Sequence, residues 1–297
     1  MFKRTQGIYQ SSLFKSPNII HGFSTKKFGD MRNIEKRKAF LSALHIQEES
    51  LVWQEQVHGD GIQIVTENDC RKIVHGVDGL VFCHPRSSPL RLSEASRGSR
   101  EIFLDSRLRG NDRIGSGNDS ERRGNDKDNS VLLSVHTADC VPLLFYDPIS
   151  QIIGAAHAGW RGTVLHIGQK MIKTMEKLGS KTSDIRVVIG PHICGKCYCV
   201  DKERAELFRK EFTPHSRNRN FFDSGNEHLN VIREKEGKYF VDLGKANYAD
   251  LINSNIDPTY IDFDPSLCTY SKNDELYSFR RSGLPLEGEI LGVIGFT

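Results

Sequence analysis

The 297-residue sequence predicts an α+β fold with mixed sheets, and three observations carry that prediction. Short apolar runs of strand length, bounded by turn residues, recur along the chain. A few longer stretches show apolar residues at helical spacing instead. The two kinds follow one another without strict βαβ alternation, which favours α+β layering over a doubly wound parallel sheet.

Taken in order, residues 19–25 read as a first strand entering a loop, and 33–44 as a charged surface helix. A strand begins at 51–54, a tight polar loop fills 56–60, and 62–65 alternates as another strand. Residues 75–82 read as a turn feeding a strand. The central stretch holds apolar runs at 131–135, 141–146 and 152–156, with Asp147-Pro148 as the turn between the last two. Residues 162–178 have helical spacing, and Gly179 is a stop signal. A strand follows at 185–189, a helix at 203–212, a polar loop at 221–230, and a long helix over 240–252 that starts near Asp242. Late strands are predicted at 261–264, 267–270 and 290–296. The whole chain, 1–297, reads as one domain interrupted at 86–130. That segment is rich in Arg, Asp, Asn, Ser and Gly, poor in aliphatics, and contains Gly-Asn-Asp three times. It lacks the apolar surface to offset its ordering entropy, so a disordered or loosely attached insert is expected. Its near-balanced charge signs argue against a basic RNA-binding arm.

Composition narrows the function classes. A net charge of +3 gives no electrostatic footprint for nucleic acid or a membrane surface. Seven irregularly spaced cysteines do not form a disulfide framework, and the basic N-terminal segment lacks the apolar core of a secretory signal. A cytoplasmic protein with free thiols is expected.

Two polar groups interrupt this apolar pattern: His136-Thr137-Ala138-Asp139-Cys140 and His157-Ala158-Gly159-Trp160-Arg161-Gly162. Buried strands are normally apolar, so such residues at their ends form either a hydrogen-bonded core cluster or an active site on a rigid sheet. His58, Cys140 and His157 are possible metal ligands, and His₂Cys with an open fourth position is a donor set of catalytic zinc. Their spacing is not local, so the pattern alone is weak. Cys140 could instead be a nucleophile, with His157 or His136 as base and Asp139 as orienter. Cys194, Cys197 and Cys199 lie close in sequence, but without a nearby fourth ligand they read as plain thiols. Arg161, with Gly162 and Thr163, opens a predicted helix, and an arginine fork beside free backbone N–H groups suits an anion.

The segments His136–Leu144 (HTADCVPLL) and His157–Gly162 (HAGWRG), with Gln56-Val57-His58-Gly59, Asp78-Gly79-Leu80 and the late Ser278–Gly283, resemble the laccase-domain, YfiH-like family. The resemblance covers nearly the whole chain apart from 86–130. It implies a layered α/β/β/α fold and a zinc ion held by His58, Cys140 and His157. It implies purine nucleoside phosphorylase activity on adenosine, inosine, guanosine and methylthioadenosine, with adenosine deamination as a side activity. The expected small-molecule partners are therefore a purine nucleoside and phosphate, with no nucleic acid and no membrane. Asp139 is then the nearest carboxylate for acid–base work, and Arg161 the phosphate ligand. An older label for the family, multicopper polyphenol oxidase, fits less well. Copper oxidase chemistry wants an axial Met and paired histidines, and the sequence has no His-x-His and no Met beside the motifs. Departures from the family pattern fall at Lys26, Cys199 and Glu287-Gly288-Glu289. A cell-wall or division accessory role without catalysis is a further reading.

Overall fold

The computed structural model describes residues 1–85, 131–212 and 230–296. The predicted insert at 86–130 lies outside the described residues, as does the loop predicted at 221–230 save its last residue. In chain order the strands are β1 (Phe2–Thr5), β2 (Ile8–Ser11), β3 (Ile19–Phe23), β4 (Leu51–Glu55), β5 (Ile62–Val65), β6 (Ile73–His75), β7 (Gly79–Cys83) and β8 (Leu132–Thr137). They continue as β9 (Val141–Asp147), β10 (Ile152–Ala158), β11 (Arg186–Ile189), β12 (Cys199–Val200), β13 (Ile232–Lys235), β14 (Lys238–Val241), β15 (Ile261–Phe263) and β16 (Ile290–Phe296). The helices are α1 (Ile34–Ala43), α2 (Trp160–Val164), α3 (Ile167–Lys177), α4 (Lys202–Phe212), α5 (Leu243–Asn253) and α6 (Phe279–Ser282).

Two mixed sheets form the body. One runs β1-β2-β3-β16-β8-β4-β6, the other β15-β11-β9-β10-β7-β5, and β12-β14-β13 make a small third sheet. The β4 strand pairs parallel with β8 and β6, β11 with β15, and β5 with β7, while the hairpin strands pair antiparallel.

Side-chain alternation explains why the central strands are apolar throughout. Successive residues of a strand point to opposite faces. In β9, Val141, Leu143 and Phe145 join a core with Met171 and Met175 of α3, Phe208 of α4 and Leu251 of α5. Leu144 and Tyr146 join a second core between the sheets, with Phe23, Val135 and Ile294. A third core packs Phe40 and Leu41 of α1 on Leu132, Leu291 and Val293, the outer face of the first sheet. The layers are thus α1, sheet, sheet and the α3–α5 helices, the α/β/β/α order expected. Each such buried side chain contributes about 1.5–3 kcal/mol relative to exposure. Local signals fix the helix starts: Asn33 accepts from the N–H groups of Glu35 and Lys36, and Asp242 from that of Lys245.

Several elements depart from the sequence pattern. The predicted helix over 162–178 is broken into α2 and α3 at His166, whose φ of 57° is left-handed. His166 Nδ1 lies 2.8 Å from the buried Asp250 carboxylate, which holds the break in place. Phe240 belongs to β14, so α5 starts only after Asp242. Residues 267–270 form no strand, only an isolated bridge between Cys268 and His192. The unpredicted β1, β6 and β13 are largely exposed edge strands, so they carry little apolar alternation. Among the described residues, no helix is long and apolar enough to cross a membrane.

Close approach of the sheets depends on Gly190, just beyond β11. A Cβ there would lie 2.3 Å from Phe23 Cε1 and 2.8 Å from Pro142 Cγ, and Phe23 is fully buried. Gly190→Ala should therefore destabilise the protein by about 1–3 kcal/mol through overpacking. Chemical denaturation should show this as a lower midpoint with an unchanged slope.

Candidate metal centre

The β9–β10 hairpin brings two donors together. His157 pairs with Pro142, so Cys140, two residues before Pro142, falls on the same face of the hairpin. The third donor comes from a different strand. After β4 the chain turns through His58, whose φ of 58° is left-handed, and this turn is fastened by Asp78. The Asp78 carboxylate accepts from the backbone N–H groups of Val57 (3.3 Å), His58 (3.0 Å) and Gly59 (2.6 Å). Its Oδ1 also lies 2.8 Å from His157 Nδ1, and its carbonyl accepts the His157 N–H at 2.7 Å. One fully buried carboxylate therefore positions two of the three donors and leaves His157 Nε2 turned away from it.

The ligand atoms of His58, Cys140 and His157 all lie within 4.8 Å of one another. The two imidazole rings stand perpendicular with centroids 4.7 Å apart. Gly159 closes the cradle. A Cβ there would meet His58 Cδ2 at 3.2 Å, Cys140 Sγ at 3.3 Å and His157 Cε1 at 3.4 Å. The donor types, their convergence and this glycine fit a borderline-soft metal ion.

The electrostatics agree with that fit. Burial alone would raise the Cys140 thiol, but the neighbouring His157, then hydrogen bonds from His157 and His58, bring it down to about 7. Burial alone would lower His157, yet Cys140 and the Asp78 hydrogen bond raise it to about 9. Asp78 is itself held below the usual carboxylate range, because hydrogen bonds from His157 and the Gly59 amide outweigh its desolvation.

The first sheet supplies a second wall. His136, on β8, stacks on Trp53 with ring centroids 4.8 Å apart. The Gln56 amide clamps its backbone, accepting the His136 N–H at 2.9 Å and donating to its carbonyl at 2.8 Å. His136 Nε2 lies 4.0 Å from Glu289 Oε2, at the edge of β16. Burial, then the charges of His157 and His58, hold the His136 ring down at about 4. Burial raises the Glu289 carboxyl.

The other predicted residues take different places. Asp139 sits at φ 105°, and its carboxylate accepts from Thr269 Oγ1 and from the Arg280 N–H, each at 2.6 Å. Burial pushes this carboxyl up against those hydrogen bonds. Asp139 thus joins the loop before Cys140 to the α6 turn and is not among the converging donors. Arg161 is exposed on α2, a helix of only five residues. The Thr163 N–H expected to be free there donates to the Gly159 carbonyl at 2.8 Å. The guanidinium of Arg161 lies 4.5 Å from the Trp160 ring centroid, and that of Arg204 lies equally close. Arg204 reaches Tyr198 Oη at 3.4 Å, and Arg280 stacks on the Tyr198 ring at 5.1 Å. Three arginines are therefore linked through two aromatic rings. Of the cysteines read together in the sequence, Cys199 lies on β12, and Cys268 takes its place beside Cys194 and Cys197.

Gln56, Asp78 and Arg280 lie inside the motifs that carry the family resemblance, but no role is read for them there, and Glu289 and Arg204 are not read as parts of this region either. Asp78 has a further signal, an acidic residue between valine and glycine at the mouth of an apolar strand. The grouping of the arginines has none, because it arises from packing.

Residues 126–297 match the family described as multi-copper polyphenol oxidoreductase laccase. The chain is 30% identical over 282 residues to purine nucleoside phosphorylase YlmD of Bacillus subtilis (strain 168), covering 89% of this chain and 84% of that protein. It is 31% identical over 159 residues to adenosine deaminase RL5 from an unknown prokaryotic organism, covering 52% of this chain and 54% of that one. The crystal structure of YlmD from Geobacillus stearothermophilus superposes with a TM-score of 0.72 at 26% identity, covering 99% of this chain and 98% of that one. By its motifs, its layered fold and these matches, the chain belongs to the multi-copper polyphenol oxidoreductase laccase family.

Proposed function

We propose that this protein is a zinc-dependent purine nucleoside phosphorylase with adenosine deaminase side activity. The observation that carries the reading is the convergence of His58, Cys140 and His157 on one point, backed by the buried Asp78. The names of the similar proteins supply the reaction class. Zinc suits the donors better than a blue-copper centre, which wants a weak axial methionine. Here Met31, Met171 and Met175 are packed in hydrophobic cores and Met1 is exposed.

In phosphorolysis a phosphate oxygen bonds to the ribose anomeric carbon while the glycosidic C–N bond breaks. The electron pair leaves with the purine, which takes up a proton. When bound, zinc would supply a Lewis acid that polarises an oxygen of the reactants. Cys140, His58 and His157 would hold it, and Asp78 keeps the His157 ring in one orientation. Arg161 is the proposed phosphate ligand, joined by Arg204 through Trp160, since a guanidinium fork matches two phosphate oxygens. Asp139, whose carboxyl burial pushes up, is the proposed proton-handling group; its bonds to Thr269 and Arg280 also fix the loop beneath Cys140.

A second reading rests on a specific observation. Cys140, His157 and Asp78 form a line of nucleophile, base and orienter, with Asp78 in the place that the sequence suggested for Asp139. The two readings make opposite demands on the thiol, as ligand or as attacking group. Adenosine incubated with phosphate should give adenine and ribose 1-phosphate, with inosine reporting deamination. Stripping the metal with a chelator should abolish both products, and zinc should restore them. Full activity in a metal-free chain, lost on thiol alkylation, would overturn the zinc reading in favour of the nucleophile.

Two variants probe the parts. Asp78→Asn replaces the acceptor behind His157, and a loss of about 10–100-fold in zinc affinity is expected; unchanged affinity by competition with a metal indicator would contradict the assignment. Arg161→Ala and Arg204→Ala should each raise the KM for phosphate about tenfold, close to 1.4 kcal/mol. The KM for adenosine should stay as it is, and equal weakening of both substrates would argue against a phosphate role.

A further inference from the structure

A second group of soft donors lies outside the centre described above. The sulfur atoms of Cys194, Cys197 and Cys268 all lie within 4.8 Å of one another. They come from two chain segments that the second sheet lays side by side. β11 and β15 run parallel, with Val187 beside Ile261 and Ile189 beside Phe263. Beyond their ends the two segments stay together: His192 and Cys268 form a bridge, and the Thr269 N–H donates to the His192 carbonyl at 3.0 Å. The Cys194 N–H then donates to Cys268 Sγ at 3.4 Å. On the other side, the Cys194-Gly195-Lys196-Cys197 turn closes with the Cys197 N–H donating to the Cys194 carbonyl at 2.9 Å. Cys197 Sγ sits 3.5 Å from Ser271 Oγ. All three are free thiols; Cys268 is buried and the other two are half-buried.

We propose that Cys194, Cys197 and Cys268 form a second metal site, one that takes a soft closed-shell cation, zinc or copper(I). Three sulfurs and no carboxylate among the converging groups reject hard cations such as magnesium or calcium. A metal–sulfur bond of about 2.3 Å places sulfurs of a tetrahedral site about 3.8 Å apart, within the spread seen here. A local Cys-x-x-Cys pair plus one distant cysteine is a chelate whose third arm depends on the fold being complete. Each thiol that binds releases its proton.

This site would act structurally on the first. The Ile193 N–H, next to Cys194, donates to the Asp139 carbonyl at 3.0 Å, and Thr269, next to Cys268, donates to the Asp139 carboxylate. A cation binding the two segments together would therefore fix the residue that precedes Cys140.

The test uses the full chain, purified anaerobically with reductant, stripped, and loaded with zinc alone or copper(I) alone. Metal per chain is read by elemental mass spectrometry after desalting. Two equivalents of zinc are expected in the wild type, one in Cys140→Ser and one in the Cys194→Ser/Cys268→Ser double variant. Cobalt(II) loading should give a strong sulfur charge-transfer band in Cys140→Ser that the double variant loses. In the copper(I) arm, retention by Cys140→Ser and not by the double variant assigns copper(I) to this site; retention of zinc alone assigns zinc. Should the double variant fail to fold, Cys197→Ser, at a half-exposed thiol, gives the same reading once its melting curve matches the apo wild type. A single equivalent in the wild type, with zinc and with copper(I) alike, that disappears entirely with Cys140→Ser overturns the proposal. So does a Cys194–Cys268 disulfide found in protein kept under reductant.

Discussion

The buried carboxylate of Asp78 is the constraint on which the centre depends. It is fully sequestered from solvent, and an unpaired charge there would cost several kcal/mol. Three backbone N–H groups and the His157 ring offset that cost, and each bond does positional work. Together they hold His58 in a left-handed conformation that a non-glycine residue adopts only at a cost of about 1–2 kcal/mol. The same carboxylate sets which imidazole nitrogen of His157 is left to face Cys140. A loop and a strand from separate parts of the chain are thereby locked into one geometry.

Around that carboxylate the layered fold supplies rigidity. β9 and β10 are buried on both faces, by helices on one side and the first sheet on the other, so the strand ends carrying Cys140 and His157 have little freedom. The first sheet contributes His136 and Glu289 from its own strand ends. Polar residues therefore gather where both sheets stop, a place that the cores cannot fill with apolar side chains. The arginine and aromatic group at Trp160 and Tyr198 adds positive charge on the helix side.

Much of this was legible in the sequence because the signals were local. The strands of the central stretch announce themselves by length and by their turn at Asp147-Pro148, and Asn33 and Asp242 mark helix starts by their capping chemistry. Cys140 and His157 stood out as polar residues at the ends of apolar runs. His58 stood out as a donor beside a glycine in a polar loop, but nothing near it in sequence tells where that loop folds. What escaped was non-local or weakly patterned. A helix with one left-handed residue in it keeps nearly the same apolar spacing, so the break at His166 leaves no trace. Exposed edge strands such as β1 and β13 bury too little to alternate. Cys268 lies far along the chain from Cys194 and Cys197, so a set of thiols that seemed to end at Cys199 was completed by parallel strand pairing instead.

The hairpin register has one more consequence, for how the gene can vary. Adding or removing one residue within β9 or β10 would put the residues on the two sides of the change on opposite faces, sending the thiol or the imidazole toward the helices. Within these two strands the positions of Cys140 and His157 are therefore set by the pleat itself. The connection from β7 to β8 joins strands of different sheets and carries no such parity requirement, and residues 86–130 fall within it. Insertions in relatives should accumulate between those strands and be absent from the hairpin, so that length variation alone would outline the donor-bearing part of the molecule.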